Sequence, residues 1–388
     1  MPKLIRITTV PISLKYLLKG QMHFMQKNGF EVLMISSAGK EVADVIESER
    51  CPHFVFPLTR RINPYKDLKT LFLLYRFFKK EKPQIVHTHT PKAGTTGMLA
   101  AWLARIPVRI HTVAGLPLME TTGAKRKLLF WVEKITYACA TKVYPNSFGL
   151  KDYILQKKLC QPSKVKVIGN GSSNGIDLEY FSKNKVNGYT TDEIKKKYNI
   201  KKGDFVFIFI GRLVRDKGIN ELVSAFINLN LKYPNSKLVL VGDEEPDLSP
   251  LDINTKLLMS QHPDILLTGF ISDIRPFFAI SHVLVFPSYR EGFPNVPLQA
   301  LAMELPAIVS DIAGCNEIII NEFNGLIIPP KNTNALIDAM VRLMVDHKLY
   351  ENLCLNTRPS IYSRYEQHYI WNLIKNEYEE QLRLVGIS

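Results

Sequence analysis

The sequence predicts an α/β protein built of two doubly wound domains. Three observations carry that expectation: the length, an alternation of short apolar runs with helix-like stretches, and a turn-rich break near the middle. At 388 residues the chain exceeds one ordinary core and suits two domains. With 46% hydrophobic and 22% charged residues, each half can bury a sizeable core.

The apolar runs of the first half are residues 4–10, 31–37, 85–90, 108–113, 142–146 and 164–168. Those of the second half are 204–210, 237–241, 265–268, 283–287, 307–310 and 326–328. They are short, rich in Val, Ile and Phe, and mostly end near Gly, Asn, Asp or Pro, as strands covered on both faces of a parallel sheet do. Between them, 67–80, 219–231 and 335–345 space apolar residues at helical period. Strand and helix alternating throughout is the doubly wound pattern. The break falls at 169–204. It opens on the turn cluster Gly169 to Gly175, and Thr190-Thr191-Asp192-Glu193 reads as a capping box for a lysine-rich helix. This predicts domains at 1–180 and 200–365. Residues 366–388, with Tyr369, Trp371 and Tyr378 at helical spacing, are expected as a tail helix outside the second sheet that packs back on the first domain.

Charge separates the halves. Net charge is +14, yet residues 1–180 hold 28 Lys and Arg against 12 Asp and Glu, and residues 181–388 hold 22 against 24. A one-sided excess, including Arg60-Arg61 and Lys125-Arg126-Lys127, points to a phosphate-bearing partner such as an anionic membrane surface. No run approaches the ~18 apolar residues of a membrane span, and the N-terminus lacks a signal-peptide layout. Five scattered cysteines without a C-x-x-C pair suit reduced thiols in a cytoplasm. The expected location is therefore cytoplasmic, peripheral on the inner face of the membrane.

Two loops of the second half carry candidate chemistry. The run 205–210 ends at Gly211, and Arg212 and Lys217 follow before Gly218. Ligands of open parallel sheets sit beyond the carboxyl ends of strands. A guanidinium and an ammonium placed there can neutralise a diphosphate; on position alone, two solvated loop charges fit equally well. The second loop is Tyr289-Arg-Glu291-Gly292-Phe293-Pro294-Asn295, with a helix expected from about Val296 and Gln299 near its start. A helix start offers free N–H groups and a positive dipole end, and Glu291 can accept from sugar hydroxyls. An apolar Phe293 in such a loop calls for a ligand or lid role.

These two loops, with Gln299 eight residues after Glu291, resemble the signature of the family-4 glycosyltransferases. The runs Ile85-Val-His87-Thr-His89-Thr-Pro-Lys-Ala-Gly94, Ile110-His111-Thr and Asn174-Gly-Ile-Asp177 with Phe181 resemble its capsule and O-antigen branch. The likeness covers nearly the whole chain. It implies the GT-B fold, two Rossmann-like domains facing across a cleft. It also implies a retaining sugar transfer from a nucleotide-sugar, UDP-linked, to a lipid-diphosphate-linked saccharide in surface polysaccharide assembly. By the same resemblance Arg212 and Lys217 bind the donor diphosphate. Glu291 and the backbone of Gly292, Phe293, Asn295 and Val296 hold the donor sugar. Gln299 reaches the ribose hydroxyls, Ile271 lies against the base, and His111 lies near the reaction centre. His87 and His89, alternating on one strand, share a face and read as structural.

The chain departs from the family pattern at three places. Gln299 stands where a Glu is usual, no glycine pair follows the first strand at Thr8 to Leu14, and Glu244 replaces a customary glycine. No pair of aspartates two apart exists, and no His/Cys cluster has zinc spacing. No metal or other cofactor is expected beyond the nucleotide-sugar substrate. Rival readings are a nucleotide-sugar 2-epimerase of the same fold and a non-catalytic partner in glycan assembly. A dinucleotide oxidoreductase lacks its G-x-G-x-x-G. Nucleic-acid binding lacks a motif, and the basic residues are dispersed.

Overall fold

A computed structural model describes the whole chain except residues 60–62, 120, 246–248 and 388. Its contacts divide the chain into one unit of Met1–Gly175 with Gln367–Ser388 and a second of Ile176–Glu366. Residues 176–204 thus go with the second unit.

The first unit holds a six-stranded parallel sheet of β1 (Lys3–Thr8), β2 (Glu31–Ser36), β3 (His53–Val55), β4 (Ile85–His89), β5 (Val108–Val113) and β6 (Lys142–Pro145). Their order is β3-β2-β1-β4-β5-β6. The second unit holds β7 (Phe205–Ile210), β8 (Ser236–Val241), β9 (Ile265–Gly269), β10 (Val283–Phe286), β11 (Ala307–Ser310) and β12 (Gly325–Ile328), ordered β12-β11-β10-β7-β8-β9. Each sheet starts in its middle, winds outward one way, then returns and winds the other way. That leaves a switch point between β1 and β4 and another between β7 and β10, where connections depart to opposite faces and open a crevice.

Burial follows from composition. The run Phe205-Val-Phe-Ile-Phe-Ile210 is buried except for its first residue, because helices cover both faces of the sheet. The helix Ile219–Asn230 buries Ile219, Leu222, Val223, Phe226 and Leu229 at helical period. In the first unit, register fixes which side chains share a face. Arg6, His87 and Ile110 are neighbours across β1, β4 and β5, and so are Ile7, Thr88 and His111. The Arg6 face is covered by the C-terminal helix Gln367–Leu384, whose Ile370, Ile374, Tyr378 and Leu382 join its apolar cluster. Thr88 on the other face meets Gly97 of the helix Pro91–Leu103.

Three expectations change. Residues 164–168 form no strand; Val165 makes a single bridge to Val143, and Lys166 N–H donates to the Val143 carbonyl at 3.1 Å. Pro145, the last residue of β6, has no N–H to extend that pairing. The edge strand His53–Val55 was not expected, since three residues show no readable alternation. The lysine-rich helix spans Gly188–Lys197, capped by the Asn187 side chain accepting from Tyr189 N–H, so the supposed capping box lies inside it.

Candidate active site

The carboxyl ends of β7 and β10 flank the second switch point, and the loops leaving them are bound together. Tyr289 N–H donates to the Asp216 carbonyl at 2.9 Å. The Arg290 guanidinium lies 3.6 Å from the Asp216 carboxylate. Gly218 makes this closeness possible: it sits at φ 72°, and a Cβ there would overlap the Pro287 carbonyl oxygen. The two loops meet through the Lys217 ammonium and the Glu291 carboxylate, which form an ion pair with both side chains under one fifth exposed. The Lys217 ammonium also rests 5.4 Å above the Phe286 ring.

The loops after β8 and β9 join the same edge. Arg215 N–H donates to the Ser249 carbonyl at 3.1 Å, and Ser249 Oγ donates to Asp216 Oδ1 at 2.8 Å. Leu213 N–H donates to the Asp243 carbonyl at 2.9 Å, while Asp243 Oδ1 accepts from Phe270 N–H at 3.0 Å. That bond fixes the turn carrying Ile271, which packs half-buried against the domain core. Arg212 is half exposed and pairs with Glu245 at 3.1 Å. Sequence reasoning missed this partner, because nothing local marks a contact between positions so far apart.

The helix after β10 spans Asn295–Ala302 and has no side-chain cap. Its first N–H groups, those of Asn295 and Val296, therefore lack intrahelical acceptors. Gln299 lies one turn in, partly exposed. Phe293 differs from expectation. It is 8% exposed and packs against Tyr365 with ring centroids 5.3 Å apart, so its side chain serves the core. The backbone of Gly292 and Phe293 remains part of the loop.

His111 belongs to the first unit, on the face of β5 opposite to His87 and His89. Its Nδ1 is 2.8 Å from Thr88 Oγ1, and that hydroxyl donates to the Ile110 carbonyl at 3.4 Å. The Thr88 oxygen therefore accepts from Nδ1–H, which leaves the lone pair on Nε2. Burial pushes the His111 pKa down to about 4, so the ring is neutral at working pH. Its ring lies 5.9 Å from that of Tyr137. Gly94 lets the ring sit there, since a Cβ at Gly94 would collide with His111 Cε1. His87 and His89 are buried, and desolvation with the nearby Arg6 charge holds both well below the ordinary histidine range. Among the described residues no group of three His, Cys, Asp or Glu could hold a metal ion.

Two Rossmann-like domains, each built on a six-stranded parallel sheet, define a GT-B protein. The chain belongs to the glycosyl transferases: residues 190–359 match "Glycosyl transferases group 1" and residues 19–171 match the "Glycosyl transferase 4-like domain". It is 34% identical over 382 residues to the capsular polysaccharide biosynthesis glycosyltransferase CapM of Staphylococcus aureus, covering 98% of each chain. It is 33% identical over 346 residues to the Escherichia coli UDP-Gal:alpha-D-GlcNAc-diphosphoundecaprenol alpha-1,3-galactosyltransferase, covering 88% of this chain and 87% of that one. Among solved structures, HepE of Anabaena in complex with UDP and glucose superposes with a TM-score of 0.83 at 16% identity, covering 98% of this chain and 100% of that one.

Proposed function

We propose that this glycosyltransferase moves a sugar from a UDP-linked donor, with retention at the anomeric carbon, to a lipid-diphosphate-linked saccharide in capsule or O-antigen assembly. The observation that carries the reading is the Lys217–Glu291 pair, which joins the two loops of the second switch point. Lys217 has three donors, so it can keep Glu291 and still take a phosphate oxygen. Arg212 exchanges Glu245 for the diphosphate, and its planar fork matches phosphate geometry. Glu291 and the N–H groups from Gly292 to Val296 hold the sugar, Gln299 bonds the ribose hydroxyls, and Ile271 lies against the base. The relatives' names support the donor and acceptor classes.

Charge on the leaving diphosphate is met by Lys217, Arg212 and the start of the helix Asn295–Ala302, so no metal is needed. In a front-face path the bond from the anomeric carbon to the diphosphate oxygen breaks. The acceptor oxygen bonds the same face of that carbon, and its proton passes to the departing phosphate. Transfer of labelled sugar from a UDP-sugar to an undecaprenyl-diphosphate-linked saccharide should proceed unchanged in EDTA. Loss of transfer that added Mg2+ restores would refute this reading.

The enzyme works peripherally on the inner face of the cytoplasmic membrane. Among the described residues no helix is long and apolar enough to cross a membrane. The helix Gly123–Cys139 supports docking instead: Leu128, Trp131 and Ile135 form an exposed apolar stripe, 50%, 58% and 49% accessible. By helical position Lys125 flanks it on one side and Lys127 and Lys134 on the other, with the Lys134 ammonium 5.3 Å over the Trp131 ring. Apolar side chains flanked by cations suit an anionic interface. Arg60 and Arg61, named with them above, lie outside the described residues. Each basic side chain near an anionic surface contributes about 1 kcal/mol. Replacing Lys125, Arg126 and Lys127 by Ala should weaken binding to phosphatidylglycerol liposomes roughly 100-fold. Equal flotation on neutral and anionic liposomes would contradict the docking.

A further inference from the structure

Arg6 lies in the middle of β1 and is 1% exposed. A guanidinium keeps its charge at any working pH, and an uncompensated buried charge is costly. Yet among the described residues no carboxylate pairs with it. Its contacts are Tyr378 Oη at 2.8 Å and His87 Nδ1. Nε and Nη2 have no hydrogen-bond partner. The acid beside Tyr378 on the covering helix, Glu377, is already engaged: it accepts from Tyr144 Oη at 2.8 Å and pairs with Lys166. Burial raises the Tyr378 pKa, so the phenol supplies no negative charge.

Beside Arg6 is a small cavity lined also by His87, Thr112, Tyr144, Asn146 and Ser172. The bonds around it turn hydrogens inward. His87 Nδ1 accepts from Arg6, so the ring carries its proton on Nε2 and donates it to Thr112 Oγ1 at 2.7 Å. The Thr112 hydrogen is thereby released. Ser172 Oγ accepts from Asn174 and Gly175 N–H at 3.3 and 3.0 Å, which releases its hydrogen as well. The lining thus combines a fixed cation with hydroxyl donors and contains no carboxylate.

We propose that this cavity between the first sheet and the C-terminal helix is a halide site, with chloride as the buried counter-ion of Arg6. A monatomic anion fits the small space, satisfies Nε and Nη2, and accepts from Thr112 and Ser172. Its position on the face of the sheet away from His111 makes it a stabilising site, outside sugar transfer. Bound only by the folded chain, chloride raises stability by mass action.

Crystals of the full chain grown in sodium bromide, measured at the bromine edge, test this directly. An anomalous peak within hydrogen-bond reach of Arg6 Nε or Nη2 and Ser172 Oγ is the expected result. Density without anomalous signal, a bound water, would overturn the proposal. Thermal melts at fixed ionic strength give a second test. The melting temperature should rise by a few degrees per tenfold increase in chloride replacing gluconate, and Thr112→Val should shrink the rise. Arg6→Met should abolish it if that variant folds. An equal rise in Thr112→Val and wild type, or tyrosinate absorbance near neutral pH showing Tyr378 to be the counter-charge, would also overturn it.

Discussion

Lys217→Ala should lower kcat/KM by about 10²–10³-fold, the cost of removing one preorganised donor from the oxygen that gains charge in the transition state. Two effects combine in this variant. The diphosphate loses an ammonium that the Phe286 ring and Glu291 hold in place. Glu291, 14% exposed at its side chain, loses its counter-charge and repels the donor phosphates. Lys217→Arg should recover little, because a planar fork does not reproduce a compact ammonium above a ring. Glu291→Gln separates the two effects: it keeps a sugar hydrogen-bond acceptor while freeing Lys217, so it should cost less than Lys217→Ala. The steady-state constants of the three variants, beside thermal melts that check folding, decide this. Turnover of Lys217→Ala within threefold of wild type would remove Lys217 from the chemistry.

The second large effect concerns His111. Replacement by Ala should cost about 10–100-fold in turnover, the worth of one hydrogen bond accepted by the neutral ring from a group that gains positive charge, while the acceptor proton itself passes to the phosphate. The pH profile then carries a sign. The active form is the neutral ring, and burial holds its pKa at about 4. The acid limb set by His111 should therefore fall toward pH 4, with no loss near the ordinary histidine value of about 6.5. Glu133 lies one turn before Tyr137 and is raised to about 7 by burial, so the profile should be taken in Glu133→Gln as well. Gly94→Ala should imitate the His111 loss, because its methyl group displaces the imidazole. In His111→Ala the same methyl group should cost little more, a non-additivity that identifies the ring as the route of the effect.

Much of this was legible in the sequence, for physical reasons that differ from element to element. The runs 108–113 and 307–310 read as strands with unchanged bounds, because a strand covered on both faces needs unbroken apolar residues. The loops after β7 and β10 were readable from glycine and charge at strand ends. Residues 164–168 looked like a strand, but Pro145 on the neighbouring β6 denies it a ladder. Phe293 in a polar loop points to a ligand or lid role, yet its ring packs on Tyr365, 72 positions away, which no local pattern encodes. Arg6 carries no local signal of its burial. A lone cation in Leu-Ile-Arg-Ile-Thr resembles one on a half-solvated strand, and only the C-terminal helix, arriving from the far end of the chain, seals it from water.

On the proposed reading Lys217 and Arg212 grip a diphosphate at the edge of the second sheet. Calorimetric titration of the full chain with UDP, UMP and uridine tests it most directly. UDP should bind at least tenfold more tightly than UMP, and Lys217→Ala with Arg212→Ala should bring the two nucleotides to equal affinity while uridine binding stays unchanged. A preference for UDP that survives loss of both cations would place the diphosphate away from Lys217 and Arg212.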